Sequence, residues 1–431
     1  MKRIKKVMVL FLLVVMMTVM YSCNSNGKEN TNNTEGKKYT LTIWGAEEDQ
    51  ALLKEMCNDY AKANPQNRYE FLFGVQGEGN VADSVLNDVQ SGPDVYSMAS
   101  DQLYKLYAGG ALARIGGDIE TQIKNENTAG SIDASTIKID GEDQLYAYPC
   151  TGDNCYFVYY DKSVYKNEED LSTLDKMLDV AEKAGKKVHF RLNDDGWYLS
   201  SFFFAVPELG YDVKYNSQMA EQKVEINYNS KDGLEVMKAL RSYLYRDGLV
   251  AQTDDSKMIA ALTEKNGKRE AAAIISGTWN AQSVKKLLGD NMGVCKLPEI
   301  KVGGEYLQLS GYMGYKLIGV NGYSKNKGEA HKLAQWLTNE KNQTKRYELR
   351  GFVPTNKAAT QNSNVVKDEI VKTVLEQSKF NRIQKGVPSA YWTPMGSLIT
   401  PILSAKAEGR KVSDSMLQEY IDALCKQVRK G

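Results

Sequence analysis

Three of the five tryptophans stand at the ends of predicted strands or helices, or in the loops between them, where binding residues concentrate. Trp197 follows a predicted strand, Trp279 closes another after a run of small residues, and Trp392 separates two predicted helices. A flat indole in such a place can stack on the apolar C–H face of a sugar ring, and a core position is the alternative for each. Trp336 has the helical spacing of a core residue, while Trp44, at the end of the first strand, fits both interpretations.

The sequence offers little that could carry catalysis or hold a metal ion. Only two histidines occur, His189 and His331, and neither has a neighbouring cysteine. A zinc site built from the usual His and Cys ligands is therefore not expected. The sequence also lacks a recognisable nucleophile motif or phosphate-binding loop. We expect no enzymatic activity and no cofactor.

The number of cysteines and the net charge argue against a disulfide framework and against a nucleic-acid-binding protein. Apart from Cys23 there are five cysteines, and an odd number argues against a framework in which all are paired. Cys150 and Cys155 are close enough in sequence to bridge, but spacing alone leaves both a disulfide and two free thiols open. The net charge is +1, with no cluster of basic residues, so a nucleic-acid partner is not expected.

The first part of the chain has the pattern of an export signal. Basic residues near the start precede the apolar run 7–20, which is too short to span a bilayer and suits a signal peptide over residues 1–22. A small residue directly before Cys23 resembles a bacterial lipobox, in which the cysteine is lipidated; cleavage as an ordinary signal peptide is the alternative. Residues 23–38 then form the predicted flexible tether, because they are polar and have nothing to bury.

Strands and helices alternate along the rest of the chain, which predicts an α/β fold with a mostly parallel sheet. Period-two patterns predict strands at 39–44, 69–75, 94–98, 155–160, 188–192, 271–275 and 315–320. Helical periodicity predicts helices at 47–63, 81–89, 102–112, 175–184, 231–247, 256–266, 280–288 and, as one long amphipathic helix, 328–351.

An ordered set of short motifs resembles the family 1 extracellular solute-binding proteins of sugar importers, the family of maltose-binding protein. Each motif is short, and their order along nearly all of residues 39–431 gives the resemblance its weight. The motifs are LTIWG (41–45), SGPDVYSMASDQL (91–103), LYAYPCTGDNCYFVYYDKSVY (145–165), AAIISGTWN (272–280), KLPEI (296–300), GFVPTNKAA (351–359) and YWTPM (391–395).

The resemblance implies a periplasmic-binding-protein-like fold, in which two α/β lobes flank a central ligand cleft. The chain of this family crosses between the lobes more than once, and such crossings act as a hinge. The implied N-terminal lobe comprises 39–151 plus 305–352, and the implied C-terminal lobe comprises 156–300 plus 357–431. The crossings are then expected near 152–155, 301–305 and 353–356.

The resemblance also implies which acids hold the hydroxyl groups of a sugar. Asp101 and Asp153 match acids of the first lobe and the first crossing, and Asp195 matches an acid two residues before a stacking aromatic. Glu47 and Glu48 fall in the loop after the first strand, where the family often binds sugar. Charged acceptors form the stronger hydrogen bonds, and a solvated surface carboxylate is the alternative for each of these acids.

The same matching makes Trp197, Trp279 and Trp392 the stacking aromatics of the second lobe. Where maltose-binding protein has a tryptophan and an arginine in the first lobe, this sequence has Met98 and Gln102. Tyr312 and Tyr315 are expected to supply first-lobe aromatics in their place.

The function implied by the resemblance is that of an extracytoplasmic lipoprotein, anchored to the outer face of the bacterial cytoplasmic membrane. It would act as a monomer that captures an oligosaccharide and delivers it to the permease subunits of an ABC transporter. A maltodextrin or other α-glucan is the first expectation, and a xylo- or galacto-oligosaccharide or a non-sugar solute is the alternative. A glycoside hydrolase would need a pair of carboxylates at a defined separation, and no signature of such an enzyme is present.

Overall fold

The computed structural model describes residues 36–216 and 220–430. The predicted signal peptide, Cys23 and nearly all of the tether lie outside the described residues. The chain from Lys38 onward forms one structural unit. Its strands are β1 (Lys38–Gly45), β2 (Arg68–Val75), β3 (Val95–Ala99), β4 (Thr136–Ile139), β5 (Glu142–Leu145), β6 (Ala147–Asn154), β7 (Tyr156–Asp161), β8 (Lys187–Phe190), β9 (Tyr211–Tyr215), β10 (Glu221–Ile226), β11 (Leu249–Ala251), β12 (Ala271–Gly277), β13 (Met292–Cys295), β14 (Glu299–Val302), β15 (Glu305–Gln308), β16 (Tyr312–Val320) and β17 (Arg382–Ile383).

Helices connect and cover these strands. The α-helices span Gln50–Ala63, Val81–Asn87, Leu103–Ala108, Gly117–Glu126, Ala129–Ala134, Leu174–Lys183, Gly196–Phe204, Lys231–Leu244, Asp255–Leu262, Ala281–Leu288, Lys327–Leu337, Glu340–Arg350, Lys357–Thr360, Glu369–Ser378, Trp392–Ser397, Thr400–Ala407 and Asp414–Val428. Short 3-10 turns lie at Glu47–Asp49, Glu78–Asn80, Ser100–Gln102, Glu168–Leu171, Thr278–Asn280 and Gly289–Asn291.

Two larger sheets organise the fold. The first has the order β17-β16-β3-β1-β2, with β6 also paired to β16, and the second has the order β11-β8-β12-β7-β13. Each sheet carries helices on its faces, so the predicted two-lobed α/β fold is confirmed. The prediction of a mostly parallel sheet holds for β1 with β2 and β3, for β8 with β11 and β12, and for β16 with β17. The sheets are nevertheless mixed, because β16 runs antiparallel to β3 and β6, and β7 runs antiparallel to β12 and β13.

The antiparallel pairings have a topological reason. Only Cys155 separates β6 of the first sheet from β7 of the second, so the chain passes directly from one sheet to the other. Parallel neighbours require a crossover connection, and a strand that enters a sheet without one can align antiparallel to its neighbour. The chain enters the first sheet again at β16, after the β14–β15 hairpin.

Apolar side chains fill three core clusters. One covers the β1 face against the helices Gln50–Ala63 and Lys327–Leu337, and Trp336 packs against it while its indole N–H donates to the carbonyl of Met56 at 3.0 Å. The largest cluster, rich in tyrosine and phenylalanine, lies in the second lobe. Trp44 is half-buried against the remaining cluster. Trp336 therefore lies where the sequence predicts it.

The predicted long helix 328–351 is wrong, because two helices occupy this stretch. The first ends at Leu337 and the second begins at Glu340. Asn339 caps the second helix by accepting a hydrogen bond from the backbone N–H of Asn342 at 2.9 Å. Threonine and asparagine offer the backbone such local alternatives to helical hydrogen bonds, and the Thr338–Asn339 pair ends one helix where a new one starts.

Candidate functional site

A cleft of about 670 Å³ opens where strands of both sheets end. The first sheet contributes the end of β3, the end of β6 and the middle of β16, and the second contributes the turn after β12. In open α/β sheets, ligands bind outside the carboxyl ends of strands. Of the predicted site residues, three line this cleft: Asp153, Trp279 and Tyr315.

Trp279 lies in the 3-10 turn directly after β12 and leaves 45% of its surface exposed. Its indole is held from two sides. A Cβ on Gly277 would come within 2.0 Å of the ring, so the ring lies directly on the glycine backbone. The indole N–H donates to the Asp255 carboxylate at 2.7 Å. A fixed, exposed aromatic surface thus faces the cleft.

Trp197 lies beside Trp279, with the ring centroids 5.9 Å apart and the ring planes tilted by 50°. It occupies the first turn of the helix Gly196–Phe204, which Asp195 caps by accepting hydrogen bonds from the backbone N–H groups of Trp197 at 2.9 Å and Tyr198 at 3.2 Å. The Trp197 indole N–H donates to the side-chain oxygen of Gln384 at 2.9 Å.

Trp392 begins the helix Trp392–Ser397, rather than lying in a loop between helices. This helix packs closely on the helix that carries Trp197, because a Cβ at Gly196 would lie 2.9 Å from the carbonyl of Trp392. Trp392 is half-buried and its ring lies 5.3 Å from that of Tyr312. Because Gly196 has no side chain, the two helices pack closely, and Trp197 and Trp392 lie in the same part of the second lobe.

Asp153 is buried on β6 and accepts a hydrogen bond from the Thr151 hydroxyl at 2.9 Å. Burial raises the pKa of this carboxyl to about 6, and the nearby Lys316 and the Thr151 hydroxyl only partly offset that effect. A buried carboxylate at the wall of a cleft has acceptor capacity left for a ligand that donates hydrogen bonds.

Asp195 has partners on both oxygens. Besides capping its helix, it lies 3.0 Å from Nε of Arg191. Partial burial raises the pKa of Asp195, while Arg191 and the two capping N–H groups act in the opposite direction. Its observed contacts are therefore structural ones, and a ligand hydroxyl would have to use a remaining lone pair.

Asp101 lies in the 3-10 turn after β3 with its side chain exposed. The surrounding protein nevertheless displaces enough water to raise the pKa of this carboxyl. The turn is connected to Trp197 through Gln384. The Ser100 hydroxyl donates to the backbone carbonyl of Gln384 at 3.1 Å, and the side-chain oxygen of Gln384 accepts from the Trp197 indole N–H. The same Ser100 hydroxyl accepts from the backbone N–H of Tyr315 at 3.2 Å.

Glu47 and Glu48 are exposed in the 3-10 turn that follows β1. The next residue, Asp49, is buried and anchors the turn: its carboxylate lies 3.0 Å from Nε of Arg350 and 3.6 Å from a guanidinium nitrogen of Arg346. Arg350 also lines the cleft and lies 3.9 Å from Glu48. Glu48 is thus linked to the cleft wall through Arg350.

Tyr315 and Tyr312 differ in their surroundings. Tyr315 lines the cleft on β16, and burial raises its pKa. Tyr312 is fully buried; its hydroxyl lies 2.9 Å from that of Tyr211, and its ring packs on Phe204 and Trp392. In this arrangement Tyr312 supports Trp392 from beneath and offers no surface to the cleft.

The sequence interpretation missed a charged stretch of the cleft wall. The Lys316 ammonium lies 4.1 Å from the centre of the Phe352 ring and 3.5 Å from the Glu78 carboxylate, and Arg350 approaches the same ring at 5.2 Å. The motif GFVPTNKAA contains Phe352, and the predicted strand 315–320 contains Lys316, but neither pattern marked these charged contacts. Asp255 and Gln384, which receive the two indole N–H groups, gave no signal in the sequence.

Met98 and Gln102, the departures noted in the sequence, have structural roles. Met98 is fully buried in a core cluster. The side chain of Gln102 accepts from the backbone N–H of Ala82 at 2.7 Å and donates to the carbonyl of Gly79.

The described residues lack a metal-binding group, a disulfide and a membrane-spanning helix. Among the described residues, no three His, Cys, Asp or Glu side chains are grouped so as to hold a metal ion. All five cysteines in the described part of the chain are free thiols, Cys150 and Cys155 included. Within residues 36–216 and 220–430, no helix has the length and apolar character that a membrane crossing needs.

Comparison with known proteins decides the family. The model of the bacterial extracellular solute-binding proteins matches residues 55–373. The chain belongs to the bacterial extracellular solute-binding proteins. The resemblance seen in the sequence is thereby confirmed. A solute-binding protein of this family binds its ligand rather than converting it, and it acts outside the cytoplasm.

Relatives of this solute-binding protein span most of its length. The galactooligosaccharide-binding protein of Bacillus subtilis (strain 168) is 28% identical over 75% of each chain. The maltodextrin-binding protein MdxE of the same organism is 22% identical, over 95% of this chain and 94% of its own. A solved structure with acarbose is 30% identical, with a TM-score of 0.72 over 91% of this chain and 99% of its own.

Proposed function

We propose that this solute-binding protein captures an oligosaccharide, a maltodextrin or related α-glucan, and delivers it to the permease subunits of an ABC importer. The observation that carries the proposal is the exposed, anchored indole of Trp279 at the cleft, tilted by 50° against Trp197. Sugars present apolar C–H faces that stack on aromatic rings, and both indole N–H groups are already used within the protein. A ligand can therefore contact the ring faces of the two tryptophans, but not their N–H groups.

The polar residues around the tryptophans suit the hydroxyl rim of a sugar. Carboxylates at the cleft can accept several hydrogen bonds, and amides can both accept and donate them. The proposed binding residues are those of the sequence analysis: Glu47, Glu48, Asp101, Asp153, Asp195, Trp197, Trp279, Trp392, Tyr312 and Tyr315. Asp153, Trp279 and Tyr315 have the strongest support, since they line one cleft. Tyr312 would act only by supporting Trp392, because it is fully buried.

The tilt between the tryptophans favours an α-glucan over an extended chain. Successive rings of an α-1,4-glucan are turned relative to one another, so two neighbouring rings can each stack on one of two tilted indoles. MdxE is named a maltodextrin-binding protein, which supports the same ligand class. A galacto-oligosaccharide is the second candidate, because the relative with 28% identity is named for that ligand.

We further propose that the lobes close on the ligand about the chain crossings. The first crossing at Cys155 leads straight from a strand of one sheet into a strand of the other, which suits a hinge. The proposed lobes are 39–151 plus 305–352 and 156–300 plus 357–431. Cys23 would carry a lipid anchor, with residues up to 38 as tether, and the protein would act as a monomer.

A glycan array with the domain from residue 36 onward tests the ligand class. The array should include maltotriose and longer α-1,4-glucans beside xylo-, galacto- and β-1,4-gluco-oligosaccharides of matched length. Retention of the α-glucans alone is the expected result. Retention of only galacto- or xylo-oligosaccharides would show that the ligand is one of these and not an α-glucan. Retention of no glycan would overturn the oligosaccharide function.

A further inference from the structure

Asp255 stands at the centre of the contacts that fix the exposed tryptophan. One carboxylate oxygen, Oδ2, accepts from the indole N–H of Trp279 at 2.7 Å and from the side-chain amide of Asn280 at 3.3 Å. The other oxygen, Oδ1, accepts from the hydroxyl of Tyr198 at 3.4 Å and lies 3.7 Å from Arg191. Asp255 itself is half-buried in the first turn of its helix.

These contacts keep the exposed indole of Trp279 in one orientation. A side chain with 45% of its surface in solvent has few packing contacts that select one rotamer. A ligand that has to immobilise such a side chain binds more weakly, because ordering the side chain costs conformational entropy. Here the ring rests on Gly277 on one side, and its N–H ends on a charged acceptor, which is the stronger kind of hydrogen bond. The rotamer is therefore fixed before any ligand arrives.

We propose that Asp255 is a positioning residue of the ligand site, which fixes Trp279 in its stacking orientation and does not itself contact the ligand. The proposal rests on the proposed function only in that Trp279 stacks on a sugar. In this proposal Asp255 influences binding through the hydrogen bond from the indole N–H, and that hydrogen bond can be removed from either end.

The test combines Asp255→Ala with Trp279→Phe in a double-mutant cycle, with maltotriose as the probe in calorimetric titrations. Phenylalanine retains a stacking ring but has no N–H to donate. Each single variant should weaken binding about tenfold, because an unanchored ring must be ordered by the ligand. The double variant should bind as weakly as Trp279→Phe alone. A direct contact between Asp255 and the sugar would instead make the two losses multiply, and that result would overturn the proposal.

Two conservative variants separate positioning from charge and from folding. Asp255→Asn retains an acceptor for the indole and should stay within about threefold of the wild-type affinity. Asp254→Asn removes the same charge one residue earlier, where Asp254 caps the helix, and asparagine caps equally well. This control should bind as the wild type does. A tenfold loss in Asp254→Asn would show that net charge near the cleft, and not the hydrogen bond, sets the affinity.

A ligand-independent readout distinguishes failure of this proposal from failure of the proposed function. Near-UV circular dichroism reports tryptophans in fixed, asymmetric surroundings, and the close Trp197–Trp279 pair should contribute to it. Asp255→Ala should reduce this signal while leaving the far-UV spectrum intact, and Asp255→Asn should retain it. If the signal falls as expected but maltotriose does not bind the wild type, the ligand assignment fails and the positioning role stands. An unchanged near-UV spectrum in Asp255→Ala contradicts the positioning role itself.

Discussion

The indoles of Trp197 and Trp279 lie with their centroids 5.9 Å apart and their planes 50° apart, and each N–H is bound within the protein. Trp197 donates to Gln384, whose backbone is hydrogen-bonded to the first sheet, and Trp279 donates to Asp255 of the second lobe. With both donors used, the pair can offer a ligand ring faces and edges but no hydrogen bonds. Specificity for hydroxyl groups must therefore come from the acids and amides around it.

Two substitutions separate the helix-capping role of Asp195 from its proposed role in ligand binding. Asp195→Asn retains an oxygen that caps the helix carrying Trp197, whereas Asp195→Ala removes the cap and should lower the free energy of unfolding by about 1 kcal/mol. If the carboxylate also binds a sugar hydroxyl, both variants should lose about tenfold in affinity for maltotriose, since charged acceptors form the stronger hydrogen bonds. Urea denaturation and calorimetric titration of both variants measure the two effects. Wild-type affinity in Asp195→Asn would restrict this residue to its structural role.

The buried carboxyl of Asp153 predicts a specific pH dependence of stability. Burial raises its pKa in the folded protein to about 6, above the ordinary value of 3.8. The folded protein therefore retains this proton at pH values where the unfolded chain has released it, and stability decreases as the pH rises through this window. Asp153→Asn cannot ionise and avoids the loss. Its free energy of unfolding, relative to the wild type, should rise by about 2 kcal/mol between about pH 4 and pH 7.

Urea denaturation across this pH range tests the prediction for Asp153. Asp290→Asn is the matched control, because Asp290 is a fully exposed carboxylate whose removal should produce no comparable slope. A pH-independent difference between Asp153→Asn and the wild type would mean that Asp153 ionises in the folded protein much as it does in the unfolded chain.

Much of the fold could be predicted because local patterns and final structure agree. The strand predicted at 39–44 appears as Lys38–Gly45, and the strand predicted at 271–275 appears as Ala271–Gly277, directly before the turn that carries Trp279. The mixed sheet order could not be predicted in the same way. It depends on where the chain passes between sheets, and periodicity carries no information about which strand pairs with which.

Some features of the candidate site have a local sequence signal, and others do not. Trp279 could be placed at the cleft because a small-residue strand and the following Gly-Thr-Trp form a local pattern. The acceptors of the two indole N–H groups come from distant parts of the chain, and no local feature marks Asp255 or Gln384. The burial of Tyr312 was equally hidden, since its position on β16 does not reveal that helices cover that end of the strand.

Lipid anchoring of the mature chain can be tested at a single residue. The proposed anchor is Cys23, which follows an apolar run and precedes a polar tether. Cys23→Ala removes the thiol that would be acylated, so the variant should appear in the culture medium or soluble extracytoplasmic fraction. Cys57→Ala provides the control, since Cys57 is buried in the fold and has no part in anchoring. A Cys23→Ala protein that still sediments with membranes would show that attachment does not use this residue.

The most direct test is calorimetric titration of maltotriose into the wild type and Trp279→Ala, accompanied by thermal melts of both. Trp279→Ala should weaken binding by about 2 kcal/mol or more, as for an anchor residue, with a nearly unchanged melting temperature because the side chain is 45% exposed. Trp336→Ala, a core-packed control, should lose about 3 kcal/mol of stability and bind as the wild type does. Wild-type affinity in Trp279→Ala together with a large drop in melting temperature would contradict a ligand site at this tryptophan.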